Sequence, residues 1–335
     1  MKFVKLGRSG LKVSRLCLGT MTFGKMNDEK EAFAIMDRAQ ELGINFFDTS
    51  NNYGGGVGYR GRVETILGTW FAQGGGRREK TVLNSKCFMQ VEEELDGPND
   101  ADGTSAYKIR RSLERSLQRL RTDHLEMYTI HHVDRDVTYD EIWGTYEALI
   151  NQGKVFYAAT SNFAGRDLVK AQYEAKNRHF FGIIAEQHKY NLNCRLPELE
   201  VLPAARDMGI AMMTYSPLSG GFLGENALNP KPGTRAAGNN LYSDFMGDYS
   251  VGIYQDRIVK FDLLCKKIGE KQSDVALAWL LHNPMVDVPI IGPRTLEQLE
   301  NTMHALEIEL DDEILKELDE IFPGPGCEAP RAYAW

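Results

Sequence analysis

The sequence predicts a closed (β/α)8 barrel of the TIM type. Three observations predict it: eight short β-prone apolar runs, amphipathic helix patterns between them, and glycines placed where those helices should stop. The runs occupy residues 15–19, 44–48, 81–86, 125–131, 154–160, 182–187, 210–215 and 286–291. Eight strand–helix units suit one closed barrel better than two smaller sheets. The residues before Arg15 read as a short β-hairpin plug.

The first helix pattern places Ala32, Ile35, Met36, Ala39 and Leu42 on one stripe, with Asp28 and Glu31 at capping-box spacing. A second sets Ile109, Leu113, Leu117 and Leu120 opposite Arg110, Arg111, Glu114, Arg115 and Arg119, which reads as a solvated face supported by an Arg110–Glu114 pair. Further helices are expected at 139–152, 166–176, 198–208, 273–281, 295–305 and 311–321. Gly43, Gly153 and Gly209 follow helices, where a left-handed residue commonly ends the element. Residues 220–250 are rich in Gly, Asn and Pro and too long for an ordinary connection, so a lid-like loop is expected there. Residues 1–335 are read as one domain, with loops at 92–103 and 220–250 and a tail at 322–335 set to shape what binds.

Composition narrows the function classes. With 42% hydrophobic and 26% charged residues, the 335-residue chain is expected to fold around a substantial core without staples. Lys plus Arg number 39 against 47 Asp plus Glu, a formal charge of −8, which argues against nucleic acid as a partner. No apolar run approaches the ~18 residues that span a bilayer, and Lys5 interrupts the stretch where a secretory leader would be apolar. Five scattered cysteines read as reduced thiols, so a cytoplasmic location without membrane contact is expected. Self-association is left open.

Barrel enzymes place their chemistry at the carboxyl ends of the strands. Those ends deliver Gly19-Thr20-Met21, Asp48 with Tyr53 beyond it, Lys86, His131, Ser161-Asn162, Gln187, Tyr215-Ser216 and Gly292-Pro293-Arg294. Asp48, Tyr53, Lys86 and His131 have a specific logic. A phenol is a poor acid at neutral pH; a neighbouring ammonium favours its phenolate, and a carboxylate keeps that ammonium charged. A neutral imidazole can hold a carbonyl oxygen near the phenol, which suits general acid catalysis. Protein side chains offer no hydride, so a reduction at this site needs a nicotinamide cofactor.

These residues resemble the aldo-keto reductases over almost the whole chain, from Gly10-Leu11-Lys12-Val13-Ser14 to the helix after Arg294. The stretch from Gly43 to Gly54 is similar to the family's signature around its catalytic Asp and Tyr, with Asp48 and Tyr53 at the same offset. Asn84-Ser85-Lys86 and Tyr128-Thr129-Ile130-His131 resemble the strands that carry its lysine and histidine. The resemblance implies NADPH/NADP+ bound in extended form, NADH being admitted because Asn301-Thr302 departs from the more usual Glu-Asn, and a small-molecule carbonyl substrate. By the same resemblance Ser161, Asn162 and Gln187 bind the nicotinamide carboxamide, and Tyr215 stacks on its ring. Ser216, Pro217, Leu218, Gly220 and Gly221 follow the pyrophosphate, while Ile291, Gly292, Arg294, Gln298 and Thr302 hold the adenosine end. Gly19, Thr20, Met21 and Asp48 complete the cofactor set. Adjacent strand residues point to opposite faces, so only one of His131 and His132 is expected to enter the site, and the resemblance chooses His131.

Rival readings are weaker. Gly56-Val57-Gly58-Tyr59-Arg60-Gly61 fits a dinucleotide-binding glycine pattern but does not begin at a strand end. A metal-dependent hydrolase would need several converging His, Asp or Glu ligands and gives Tyr53 no role, so no metal site is expected. The alternative kept open is a cofactor-binding regulatory or redox-sensing subunit, like the β-subunits of ion channels, with little turnover.

Overall fold

All eight predicted barrel strands form, each within two residues of the ends read from the pattern. The computed structural model describes residues 1–54, 58–91, 97–231 and 253–325. A short antiparallel hairpin, β1 (Phe3–Lys5) and β2 (Lys12–Ser14), precedes β3 (Cys17–Gly19), β4 (Phe46–Asp48), β5 (Val82–Cys87) and β6 (Leu125–Ile130). These are followed by β7 (Val155–Ser161), β8 (Ile183–Lys189), β9 (Ala211–Tyr215) and β10 (Val288–Ile291). All eight pair in parallel and in sequence order, and β10 closes the barrel by pairing with both β9 and β3.

Strand alternation sorts the barrel into two apolar layers. Cys17, Phe46, Met127, Ala159, Ala185, Ala211, Met213, Val288 and Ile290 fill the inside. Leu18, Phe47, Leu83, Tyr128, Ile130, Met212 and Ile291 face outward into the helices. The hairpin closes the amino-terminal end, where Leu6 and Val13 pack onto the inner layer. Gly7 makes that closure (φ +53°): a Cβ there would lie 2.5 Å from the Gly209 carbonyl and 2.7 Å from that of Ile184.

The helices are α1 (Glu29–Glu41), α2 (Arg62–Phe71), α3 (Ala106–Leu120), α4 (Tyr139–Asn151) and α5 (Gly165–Asn177). Then come α6 (Val201–Asp207), α7 (Ile253–Ile268), α8 (Gln272–His282), α9 (Leu296–Thr302) and α10 (Asp312–Ile321). The capping box at Asp28 and Glu31 forms, and Gly43, Gly153 and Gly209 all take positive φ. Two helices, α2 and α7, were not anticipated. The segment expected as one helix at 295–305 divides into α9 and a tighter turn, Met303–Leu306.

The arginine face of α3 differs from expectation. Arg111, not Arg110, lies near Glu114, and Arg119 is only partly exposed: its Nε donates to Glu64 Oε2 at 2.8 Å. Glu64 is wholly buried on α2 and also accepts from Ser85 Oγ, so the three side chains lock α2 and α3 to β5. The glycine pattern at 56–61 does run into a helix, since Gly61 caps α2, but it starts well beyond β4, and residues 55–57 lie outside the described residues. The same holds for 92–96 of the 92–103 loop, for 232–250 of the expected lid and for 326–335 of the tail. Among the described residues no helix is long and apolar enough to cross a membrane.

Candidate active site

Above the apolar inner layer, the carboxyl end of the barrel carries a layer of polar side chains on the same inward-facing positions. Asp48 ends β4 next to Gly19 on one side and Asn84 on the other. Two residues along β5 from Asn84, on the same face, stands Lys86. Thr129 and then His131 follow on β6 and just beyond it, and Ser161 and Gln187 face each other across β7 and β8. Tyr215 ends β9.

Lys86 is the hub. Its ammonium has three protons, and each has a partner: Asp48 Oδ2 at 2.6 Å, the Thr49 carbonyl at 2.8 Å and the Tyr53 phenol oxygen at 3.1 Å. The lysine side chain is completely buried, and that of Asp48 is 4% exposed. Burial alone would pull the lysine down, but Asp48 and Tyr53 outweigh it, and the group is held above its ordinary value. The remaining oxygen of Asp48, Oδ1, accepts from Asn84 Nδ2 at 2.7 Å and Gln187 Nε2 at 2.9 Å. The carboxylate is therefore bonded through both oxygens, as a buried charge requires.

The imidazole of His131 meets Tyr53 edge-on, with ring centroids 6.1 Å apart. Burial first, then the positive Lys86 and the neighbouring His132, hold it well below its ordinary value, so it is neutral at pH 7. Its Nδ1 lies 3.3 Å from Ser50 Oγ, which is also 2.7 Å from Asn52 Oδ1. Ser50 has one proton: given to Nδ1 it leaves the imidazole proton on Nε2 as a donor, and given to Asn52 Oδ1 it leaves Nδ1–H donating to Ser50 Oγ. The expectation that His132 points the other way is corrected. Strand β6 stops at Ile130, alternation ends with it, and the two imidazoles stack 5.2 Å apart at 17°, with Phe88 against the edge of His132.

A neutral imidazole that protonates on unfolding makes a prediction. The folded state resists protonation that the unfolded chain accepts below a pH of about 6.5. His131 thus favours folding fully above that value and costs stability as pH falls through it. Urea denaturation at about pH 7.5 and about pH 5, either side of that value, should show a smaller acid loss in His131→Asn than in the parent. Equal acid losses would contradict the assignment.

The residues expected to hold the cofactor are placed as follows. Ser161 Oγ donates to the Gln187 carbonyl at 2.8 Å. Asn162 sits in the left-handed region (φ +61°); its amide donates to the His131 carbonyl at 3.0 Å and its oxygen accepts from Tyr215 at 2.8 Å. Burial pushes the Tyr215 phenol up to about 12, so it stays protonated in that bond and fixes its ring. After Tyr215 the backbone turns through positive φ at Ser216, Ser219, Gly220 and Gly221, with Pro217 and Leu218 between. Thr20 spends both its N–H and its hydroxyl on the Asp48 carbonyl, and Met21 is half-buried beside it. Ile291 points outward into the helical layer, so it presents only main chain to this face, and a Cβ on Gly292 would meet open space. Gln298 Oε1 caps the Arg294 N–H at 2.8 Å, Asn27 Nδ2 donates to the Arg294 carbonyl at 2.6 Å, and Thr302 bonds back to Gln298.

The sequence reading missed Asn84 and Thr129. Asn84 lies two residues before Lys86 on β5 and Thr129 two residues after the inward-facing Met127 on β6, so strand periodicity puts both on the inner wall. Among the described residues, no three His, Cys, Asp or Glu side chains gather where they could share a metal ion.

The chain is similar to known proteins over most of its length. The model of the aldo/keto reductase family matches residues 15–322. The "Uncharacterized oxidoreductase YrpG" of Bacillus subtilis (strain 168) is 55% identical over 335 residues, all of both chains. The "Probable voltage-gated potassium channel subunit beta" of Oryza sativa subsp. japonica is 31% identical over 311 residues, 92% of each chain. The "Norsolorinic acid reductase stcV" of Emericella nidulans is 30% identical over 330 residues, 94% of this chain and 80% of that one.

Proposed function

This chain belongs to the aldo/keto reductase family and is an oxidoreductase, and from that premise we propose that it reduces an aldehyde or ketone to an alcohol at the Tyr53 end of the barrel. The observation that carries the reading is the Lys86 ammonium, fully buried, with one of its three protons on the Tyr53 oxygen. Because the phenol oxygen accepts from a cation, its O–H bond is polarised towards giving up the proton. A carbonyl oxygen placed between Tyr53 and His131 would take that proton as negative charge builds on it, and Lys86 would stabilise the phenolate left behind. Asp48 keeps the ammonium charged, and a neutral His131 orients the oxygen without competing as an acid.

The strand ends fit a nicotinamide dinucleotide, which when bound supplies the hydride. Gln187 commits one amide proton to Asp48 and keeps its oxygen for a carboxamide, and Ser161 and Asn162 stand next to it. The Tyr215 ring, tethered through its hydroxyl, offers a flat platform. Arg294 and Gln298 are the residues proposed to hold a 2′-phosphate, the guanidinium fork being suited to phosphate. Arg294→Ala should therefore raise the dissociation constant for NADPH roughly tenfold, about 1.4 kcal/mol, and leave NADH within about twofold. Equal losses for the two would remove the 2′-phosphate role.

The reading is tested by NADPH oxidation over a panel of carbonyls that begins with 4-nitrobenzaldehyde. The second reading, a regulatory subunit with little turnover, draws on the likeness to the potassium channel β-subunit. Tight NADPH binding without oxidation across the panel would favour it.

A further inference from the structure

We infer that Asn84, oriented by Thr129, is a positioning residue for proton delivery: it decides which Asp48 oxygen faces Lys86 and thereby aims the ammonium at Tyr53. The inference rests on the proposed role of Tyr53 and Lys86, and adds two residues that are not among those proposed to hold the substrate or the cofactor.

The direction of each hydrogen bond follows from the charge at the centre. An ionised carboxylate accepts and cannot donate. Asn84, 2.7 Å from Asp48 Oδ1, must therefore present its NH2 group, because its oxygen at that distance would face another acceptor. With Nδ2 on Asp48, the Asn84 oxygen is turned to Thr129, whose hydroxyl must then donate across 2.8 Å. Thr129, Asn84 and Asp48 are all essentially buried, so water is not available to replace any of these bonds.

The arrangement also divides the work between the two carboxylate oxygens. Oδ1 is saturated by two neutral amides, Asn84 and Gln187, and Oδ2 is left to the cation. Neutral donors stabilise the anion without adding charge to the site. Without the Asn84 amide, Asp48 draws more heavily on Lys86 and is freer to rotate. The share of the ammonium directed at the Tyr53 oxygen falls, and the phenolate is less stabilised.

The test reads the ionisation of Tyr53 itself, in the cofactor-free protein. Tyrosine labelled with carbon-13 at Cζ reports each phenol by NMR, and Tyr53→Phe identifies the resonance. Asn84→Ala and the near-isosteric Thr129→Val are compared with the parent and with Thr129→Ser, which restores the hydroxyl. The Tyr53 midpoint should move up by about half a pH unit or more in the first two, a roughly threefold loss in phenolate stability, and return in Thr129→Ser. In turnover, kcat should fall while the NADPH dissociation constant stays within about twofold, since neither residue is itself among those proposed to hold the cofactor. An unmoved midpoint in folded Asn84→Ala or Thr129→Val overturns the inference; should Asn84→Ala not fold, Thr129→Val decides. A failure of the parent reading looks different: Tyr53→Phe would keep full turnover, whatever the midpoint does.

Discussion

Replacing Tyr53 by phenylalanine is expected to lower kcat for carbonyl reduction by about 10³-fold, near 4 kcal/mol, with NADPH binding unchanged. The substitution removes one oxygen and keeps the ring, so packing against His131 and the cation–π contact with Lys86, whose Nζ lies 4.8 Å from the ring centroid, both survive. What is lost is the proton on the one acidic group that Lys86 addresses. The residues proposed for the cofactor (Ser161, Asn162, Gln187 and Tyr215) are bonded to one another and to Asp48 and do not depend on that hydroxyl. Steady-state kinetics with an aldehyde, beside fluorescence titration of NADPH, separates the two effects. Turnover within about tenfold of the parent, one decade of rate, would mean that Tyr53 is not the donor.

The second large effect concerns stability. Lys86→Met should destabilise the fold by about 3–5 kcal/mol, because it leaves the buried Asp48 carboxylate with amides but no cation. Combining it with Asp48→Asn removes the second charge, and most of that loss should return. Activity should not. The double variant would then be folded and inert, showing that the pair serves the reaction more than the fold. Urea unfolding and kinetics on the same samples check this; a double variant no more stable than Lys86→Met alone would contradict it.

Much of this arrangement was legible because barrel strands repeat simply. Each strand end could be read from a short β-prone run, and the inward face then follows by counting in twos from Asp48, Lys86 or Gln187. That same count contained Asn84 and Thr129; they were passed over because a lone Asn or Thr in a strand carries no chemical signature until its partner across the barrel is known. Counting failed at His132, where the strand had already ended. Helix α2 was hidden because its N-cap is Gly61 in the left-handed conformation, with no side-chain cap, and Gly68 lies in its interior. Gly68 is there for contact: a Cβ would lie 2.1 Å from the Arg119 carbonyl. Helix α7 buries Ile258, Phe261, Leu264 and Cys265 at helical spacing, a signal placed beside the long Gly- and Asn-rich stretch. The pairing of Arg119 could not be read from α3, since its partner Glu64 lies on another helix.

The core of the account is that this barrel joins a hydride from a bound dinucleotide to a proton from Tyr53 on a single C=O. NADPH carrying deuterium at the transferable C4 position, mixed with 4-nitrobenzaldehyde and the purified protein, tests that union directly. The account predicts deuterium on the carbinol carbon of the alcohol, formed at the rate of cofactor oxidation and nearly absent with Tyr53→Phe. Deuterium that stays on a bound but unoxidised cofactor, with this and every other carbonyl tried, would contradict it.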